Sequence, residues 1–240
     1  MDSDIRFSIV IPAYNEEESL PILMEELRHV FHNLPKPAET ILVNDGSTDR
    51  TLQVMLELKK KYDELSLKVI SLDGNYGLTA ALDAGFHTAK EEVIVSLDAD
   101  LQNDPADIPK LLENISDYDA VIGVRRKRMD RFIKKISSKI ANSIRDFILS
   151  EKWRDTGCTL KAYRKSYLEK IKLFNGLHRF LPTLLLMEKA RILELDVNHR
   201  ERTHGKSKYG LWNRLFGPFR DLMAVRWMKQ QHLSYTIEEK

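Results

Sequence analysis

Apolar residues along the chain alternate between two rhythms. Phe7 to Ile11, Thr40 to Val43, Leu67 to Leu72, Val93 to Leu97 and Ala120 to Val124 are short, largely apolar runs rich in β-branched residues, and they predict strands. Between them, apolar positions recur at helical spacing. Glu16 to Phe31 puts Leu20, Leu23, Leu27, Val30 and Phe31 on one face, with acidic residues in its first turn. The next helix is capped at Thr48 or Asp49 and runs to about Tyr62. Leu78 to Ala89 is a third helix, and Pro105 to Ile115 is a short fourth with proline near its first turn. Strands that are apolar throughout and alternate with helices predict an α/β fold, a mostly parallel central sheet covered on both faces.

The second half is less regular. Ile133 to Leu149 reads as an amphipathic helix, Thr159 to Tyr163 as a short strand, Leu177 to Lys189 as a helix and Ile192 to Val197 as a strand. A polar, basic loop follows, and then a helical tail from Leu211 to about His232. No repeat or low-complexity linker divides the sheet region, so the expected organisation is one domain over 1–210 and a helical tail over 211–240. In that tail, Phe219, Leu222, Met223 and Trp227 share one helical face, with Arg220, Arg226 and Lys229 among their neighbours. Such a helix suits a membrane interface; the same pattern fits a helix packed on the preceding domain or on another subunit.

Composition narrows the class without naming it. With 240 residues, 42% apolar and 31% charged, the chain can build one large core and is not of disordered composition. The formal net charge of +2 says little about partners. The single Cys158 excludes an internal disulfide and fits a reducing compartment, and it reads as a small core residue rather than a nucleophile. Seven histidines are scattered without metal-ligand spacing, and His178, His199 and His204 are expected at the surface or in loops. The start, Met1-Asp2-Ser3-Asp4, carries no signal-peptide pattern, and no apolar run approaches the roughly 20 residues of a membrane span. The expectation is a soluble or peripheral protein.

The chemistry gathers at strand ends. The first strand ends in Pro12-Ala13-Tyr14-Asn15-Glu16, the second in Asn44-Asp45-Gly46-Ser47 and the fourth in Asp98-Ala99-Asp100-Leu101-Gln102. In open parallel sheets, ligands bind at the carboxyl ends of strands. No glycine-rich phosphate loop of the GxGxxG or GxxxxGK[ST] type follows any of them. Phosphates bound here would need another source of positive charge, and Mg²⁺ or Mn²⁺ on hard oxygen ligands supplies it. Asp100 and Gln102 are two apart, so extended backbone would project them to one side, with Asp98 placed to hydrogen-bond a ribose or support the metal from behind. A lone D-x-D is more often an acidic turn; its place beside two other polar strand ends favours a ligand site. Asn75 is placed to hydrogen-bond the loop beneath a bound nucleotide.

These stretches carry a family resemblance. "IVIPAYNEE", "ILVNDGSTD", "NYGLTAALDAG" and "VSLDADLQNDP" resemble the family 2 glycosyltransferases of the GT-A (Rossmann-like) fold, in particular the branch of polyprenyl-phosphate sugar synthases. "DTGCTLKAYRKS" and "RTHGKSKY" resemble two later motifs of that branch, so the resemblance runs from Phe7 to Tyr209. It implies an inverting, metal-dependent transfer of a sugar from a UDP- or GDP-sugar to a dolichyl or undecaprenyl phosphate at the cytoplasmic face of a membrane. Pro12, Tyr14, Glu16 and Asp45 match positions lining the nucleotide pocket, Asp98 one that reaches the nucleotide, and Asp100 and Gln102 those that hold the metal. Arg125, Arg131, Arg202 and Lys208 match positions near the phosphates, and Asp155, in the D-x-G motif, one near the acceptor or donor sugar. Asn44 departs from the pattern, which has an Asp there, and puts the base contact in question.

The physics of the acceptor agrees. A sugar hydroxyl needs a base to become a nucleophile, whereas a phosphate monoester is already anionic and needs fixed cations to approach a diphosphate. Arg126, Lys127, Arg128, Lys134 and Lys135 read either as a solvated helix face or as a patch for anionic lipid. Without interleaved aromatic residues the run does not read as a nucleic-acid site. Two alternatives stand beside the main reading: a transferase with a hydroxyl acceptor on a glycan or glycolipid, and a nucleotide-sugar-binding subunit without catalysis. A homo-oligomer or a membrane-protein partner is compatible with each.

Overall fold

The computed structural model describes residues 6–32, 39–126, 143–201 and 216–233. Their elements are β1 (Phe7–Ala13), α1 (Ser19–His32), β2 (Glu39–Asn44), α2 (Thr51–Lys61), β3 (Leu67–Ser71), α3 (Leu78–Thr88), β4 (Val93–Ser96), α4 (Ile108–Asn114) and β5 (Ala120–Arg125). There follow α5 (143–149), β6 (Lys161–Arg164), α6 (Lys165–Leu168), α7 (Leu181–Met187), β7 (Ile192–Val197) and α8 (Phe216–Gln231). The strands form a seven-stranded sheet in the order β3-β2-β1-β4-β6-β5-β7. All pairings are parallel except those of β6, which runs antiparallel to both β4 and β5. The α/β expectation and the mostly parallel sheet are therefore met.

The two-residue period of a strand explains the layering. Phe7, Ile9 and Ile11 of β1 point into a core shared with Leu20, Leu23 and Leu27 of α1, Met55 of α2 and Leu111 of α4. Val10 points the other way, into a core shared with Leu82 and Phe86 of α3 and with Leu181 and Leu185 of α7. A strand buried on both faces has no polar alternation, which is why β1 and β2 read as unbroken apolar runs. A third cluster joins Leu149 of α5 and Leu184 of α7 to Leu222 and Val225 of α8, so the tail helix packs against the sheet domain.

Several local expectations need correction. The first helix begins at Ser19, so Glu16 to Glu18 lie ahead of it rather than in its first turn. The second begins at Thr51 with no side-chain cap from its N-cap residue Arg50; Asp49 instead accepts from the Thr51 amide at 2.9 Å. Leu177 to Lys189 divides into a 3₁₀ turn, Leu177–Phe180, and α7, because Pro182 lacks the amide needed for one continuous helix. Of the helix expected over 133–149, residues 143–149 are described. In α8, Leu222 is 5% exposed and faces the core, while Phe219, Met223 and Trp227 are exposed; the four do not share one face.

Candidate active site

The carboxyl ends of β1, β2 and β4 open onto one cleft of about 700 Å³. Pro12, Tyr14 and Glu16 line it from β1, Asp45 from β2, and Asp98, Asp100 and Gln102 from β4. Asn75 closes it from the loop before α3. Eight residues singled out from sequence thus face a single cavity.

Short polar bonds hold these tips together. Asn15 sits in the left-handed region at φ 55°, which its short amide tolerates. Its amide N–H donates to Ser47 Oγ at 3.0 Å, and its Oδ1 accepts from the Thr48 N–H at 2.8 Å. The Glu16 N–H donates to Thr51 Oγ1 at 2.8 Å, tying the turn after β1 to the start of α2. Gly46, at φ +62°, lets the 74–75 loop lie directly on the β2 tip; a Cβ there would collide with the Gly74 backbone.

Asp45 fixes the far side of the same loop. Its carboxylate accepts from the Tyr76 N–H at 2.8 Å, the Gly77 N–H at 2.9 Å and Asn75 Nδ2 at 3.2 Å. Asn75 is therefore tied to the β2 tip, holding the loop that walls the cleft. Asn44 is buried and does not face the cavity: Nδ2 donates to Ser71 Oγ at 2.8 Å and Oδ1 accepts from the Ser47 N–H at 3.1 Å. The departure at this position falls on a turn staple, not on the cavity wall.

At the β4 tip the backbone is not extended, contrary to expectation. Leu101 has φ 62° with its side chain buried, and the Gln102 N–H donates to Asp100 Oδ1 at 3.1 Å. The chain turns between the two residues, and the turn rather than strand periodicity brings both to the cleft. A left-handed leucine costs about 1–2 kcal/mol. It is held by burial and by the strand-like seating of the next residues, where the Arg200 N–H donates to the Gln102 carbonyl at 2.8 Å and Asn103 Nδ2 to Thr159 Oγ1 at 2.8 Å.

The donor set is carboxylate and amide oxygen, which suits a hard cation. Among the described residues no cluster of three or more His, Cys, Asp or Glu forms a self-sufficient cage. Asp100 and Gln102 would be the protein's share of a Mg²⁺ shell, which takes one or two carboxylates and is completed by water and phosphate oxygens.

Arg125 and Asp155 lie elsewhere. Arg125, at the end of β5, donates Nε to Asp155 Oδ2 at 2.6 Å and Nη2 to Oδ1 at 2.8 Å, a bidentate pair of nearly buried side chains. The Gly157 N–H adds a third donor to Asp155 at 3.1 Å. Neither residue lines the cleft. Arg131, Arg202, Lys208 and the basic residues from Lys127 to Lys135 lie outside the described residues.

The structure also presents residues that sequence reading missed. A second cavity of about 220 Å³ adjoins the cleft and shares Asp98, His178 and Arg179 with it. Lys161 lines it from β6, 3% exposed and opposite Ser96 of β4. Desolvation pulls the Lys161 ammonium below its ordinary pKa. His178, expected at the surface or in a loop, is half-buried in the 3₁₀ turn, its Nδ1 2.7 Å from Thr79 Oγ1. Desolvation, with Arg179 and Lys161 nearby, pushes it down to about 3. A lysine inside "CTLKAY", flanked by residues that continue a strand, was the one available signal for Lys161; nothing local marked His178. Burial pushes the Cys158 thiol up to about 11, as suits a core residue.

Residues 8–172 match the model for glycosyl transferase family 2. The chain is 39% identical over 229 residues to the dodecaprenyl-phosphate galacturonate synthase of Rhizobium johnstonii, covering 92% of this chain and 66% of that protein. It is 39% identical over 212 residues to the undecaprenyl-phosphate 4-deoxy-4-formamido-L-arabinose transferase of Aeromonas hydrophila, covering 88% of this chain and 65% of that one. The chain thus spans just under two thirds of the length of these relatives. In fold it is similar to glucosyl-3-phosphoglycerate synthase from Mycobacterium tuberculosis, solved with Mg²⁺ and UDP, at TM-score 0.70 and 15% identity over 95% of this chain and 80% of that one. It is also similar to a Pyrobaculum calidifontis mannosyltransferase solved with GDP-mannose and Mn²⁺, at TM-score 0.66 and 18% identity over 98% and 67%. The GT-A architecture and the family match agree: the chain belongs to glycosyl transferase family 2.

Proposed function

We propose that the chain transfers a sugar, with inversion, from a UDP- or GDP-sugar to a polyprenyl phosphate. The observation that carries this is the convergence of Asp45, Asp98 and Asp100, from two strand tips, on one open cleft whose walls are held rigid by backbone amides. The relatives named for polyprenyl-phosphate substrates support the acceptor class.

Asp45, Pro12 and Tyr14 form the wall for the nucleoside, and Asp98 receives the ribose or the diphosphate end. Asp100 and Gln102 would hold Mg²⁺ or Mn²⁺, which supplies the positive charge a diphosphate leaving group requires. The acceptor phosphate is anionic at neutral pH, so no residue has to remove a proton from it. Asp155, neutralised by Arg125, acts by positioning rather than as a base. Arg131, Arg202 and Lys208 are the cations we assign to the approaching phosphates.

No helix among the described residues is long and apolar enough to cross a membrane. We place the chain at the cytoplasmic membrane face, with exposed Phe219, Met223 and Trp227 of α8 touching lipid.

The test is incubation with labelled donors and Mg²⁺ or Mn²⁺, offering undecaprenyl phosphate or hydroxyl acceptors. An acid-labile glycosyl phosphate formed from the lipid is the expected product. An acid-stable glycoside from a hydroxyl acceptor replaces the reading with the second alternative. Donor binding without turnover on any acceptor makes the chain a binding subunit.

A further inference from the structure

The second cavity is unlike the cleft it adjoins. The cleft is edged by several carboxylates, whereas the cavity has Lys161 and Arg179 in its wall and Asp98 as its one carboxylate. Lys161 places an ammonium there with one hydrogen bond, to the Thr156 carbonyl at 3.3 Å, and no carboxylate within ion-pair distance among the described residues. An ammonium has three protons to place, and burying it without an anion is costly. Arg179 lines the same cavity and makes no hydrogen bond or ion pair with a described residue.

Tyr163 borders the same cavity. Its hydroxyl has no accessible surface and lies beside Ser96, whose own proton goes to the Thr159 carbonyl at 2.6 Å. His178 lines the same space, its Nδ1 2.7 Å from Thr79 Oγ1, which also accepts from the Gly176 N–H at 3.0 Å.

Asp98 stands at the boundary of cleft and cavity and supplies the one carboxylate shared by both. Lys161 and Arg179 against Asp98 leave the cavity with net positive charge. The space accommodates one pyranose ring, and it lies next to where the donor's diphosphate would end.

We propose that this cavity seats the sugar of the nucleotide donor, and that Lys161 and Arg179 make it select a sugar bearing a carboxylate, a uronic acid. The assignment rests on the donor-binding reading above and deepens it to a substrate class. His178 then borders the sugar ring, and Asp98 accepts from a hydroxyl at the anomeric end.

The experiment is calorimetric titration of the chain, with Mg²⁺, against UDP, GDP and matched donor pairs: UDP-galactose with UDP-galacturonate, and GDP-mannose with GDP-mannuronate. In the nucleotide series that binds, the uronate member is expected to bind about tenfold or more tightly than its neutral partner. Lys161→Met, which keeps the side-chain volume, is expected to abolish that preference while binding of the free nucleotide is retained. Arg179→Gln, at a half-buried position that threatens the fold less, is expected to reduce it. Equal or tighter binding of the neutral sugar by the native chain, or an undiminished preference in both variants, overturns the proposal. Nucleotide binding without acidic preference overturns this inference alone. Failure to bind either nucleotide overturns the donor reading and this one together.

Discussion

The two walls of the binding region solve opposite electrostatic problems. The β1–β2–β4 wall carries Asp45 and Asp100, and both carboxylates are met by backbone N–H groups, from Tyr76 and Gly77 in one case and Gln102 in the other. The β5–β6 side carries cations. Arg125 is neutralised in place by Asp155, whereas Lys161, one strand away, has a single bond to a carbonyl. The same charge type is thus ion-paired at one position and bonded to a carbonyl at the other, and the partner, not the residue type, makes the difference.

That contrast can be broken most forcefully at the paired cation. Asp155→Asn removes the anion from a nearly buried Arg125 and is expected to destabilise the fold by about 3 kcal/mol or more, read by urea unfolding. A loss under about 1 kcal/mol would make the pair a functional rather than a structural one.

On the acidic wall the expected effect falls on turnover. Asp100→Asn removes a charge at a half-buried turn and keeps an oxygen for the Gln102 N–H, so stability should hold while transfer falls about 100-fold, measured with labelled donor. Near-native transfer, or equal transfer in chelator and in Mn²⁺, would remove the metal assignment.

His178 sharpens the comparison through pH. Its folded-state pKa of about 3 lies below the ordinary 6.5, so in that window the unfolded chain binds the extra proton. Stability therefore rises with pH between those values and is lost as pH falls. Acidification from about pH 7 to about pH 4.5 should cost about 2 kcal/mol through this group alone. His178→Gln should flatten that part of the pH–stability profile, and an unchanged slope would show that the imidazole is not held neutral by its surroundings.

The smallest stability effect is expected at α8. Phe219→Ser and Trp227→Ser alter exposed positions and should leave stability within about 0.5 kcal/mol. Flotation with anionic vesicles should nevertheless drop. Unchanged flotation would move membrane contact away from this helix.

Much of this molecule was legible in the chain itself. Strands buried on both faces are largely apolar, so β1, β2, β4 and β5 could be read from local runs; β3 is only partly buried and carries Lys68. Polar residues stopping those runs marked the strand tips, and seven residues from the ends of β1, β2 and β4 reached one cleft together with Asn75 from the loop before α3. The helix starts were misplaced for different reasons. Thr51 Oγ1 is held by the Glu16 N–H, 35 positions away, whereas Ser19 bonds Glu16 only three positions before it.

By itself the sequence determined the period, the order of the elements and the chemistry at the ends of the parallel strands, because each depends on neighbours within a few positions. Only tertiary structure decided which charges are spent. Arg125 meets Asp155 across 30 positions, and His178 meets Thr79 across 99. Lys161 reaches the cavity because β6 inserts antiparallel between β4 and β5, setting it opposite Ser96. No local rule encodes that insertion: strand order is fixed by which faces can be buried together, and the burial of a charge follows from it.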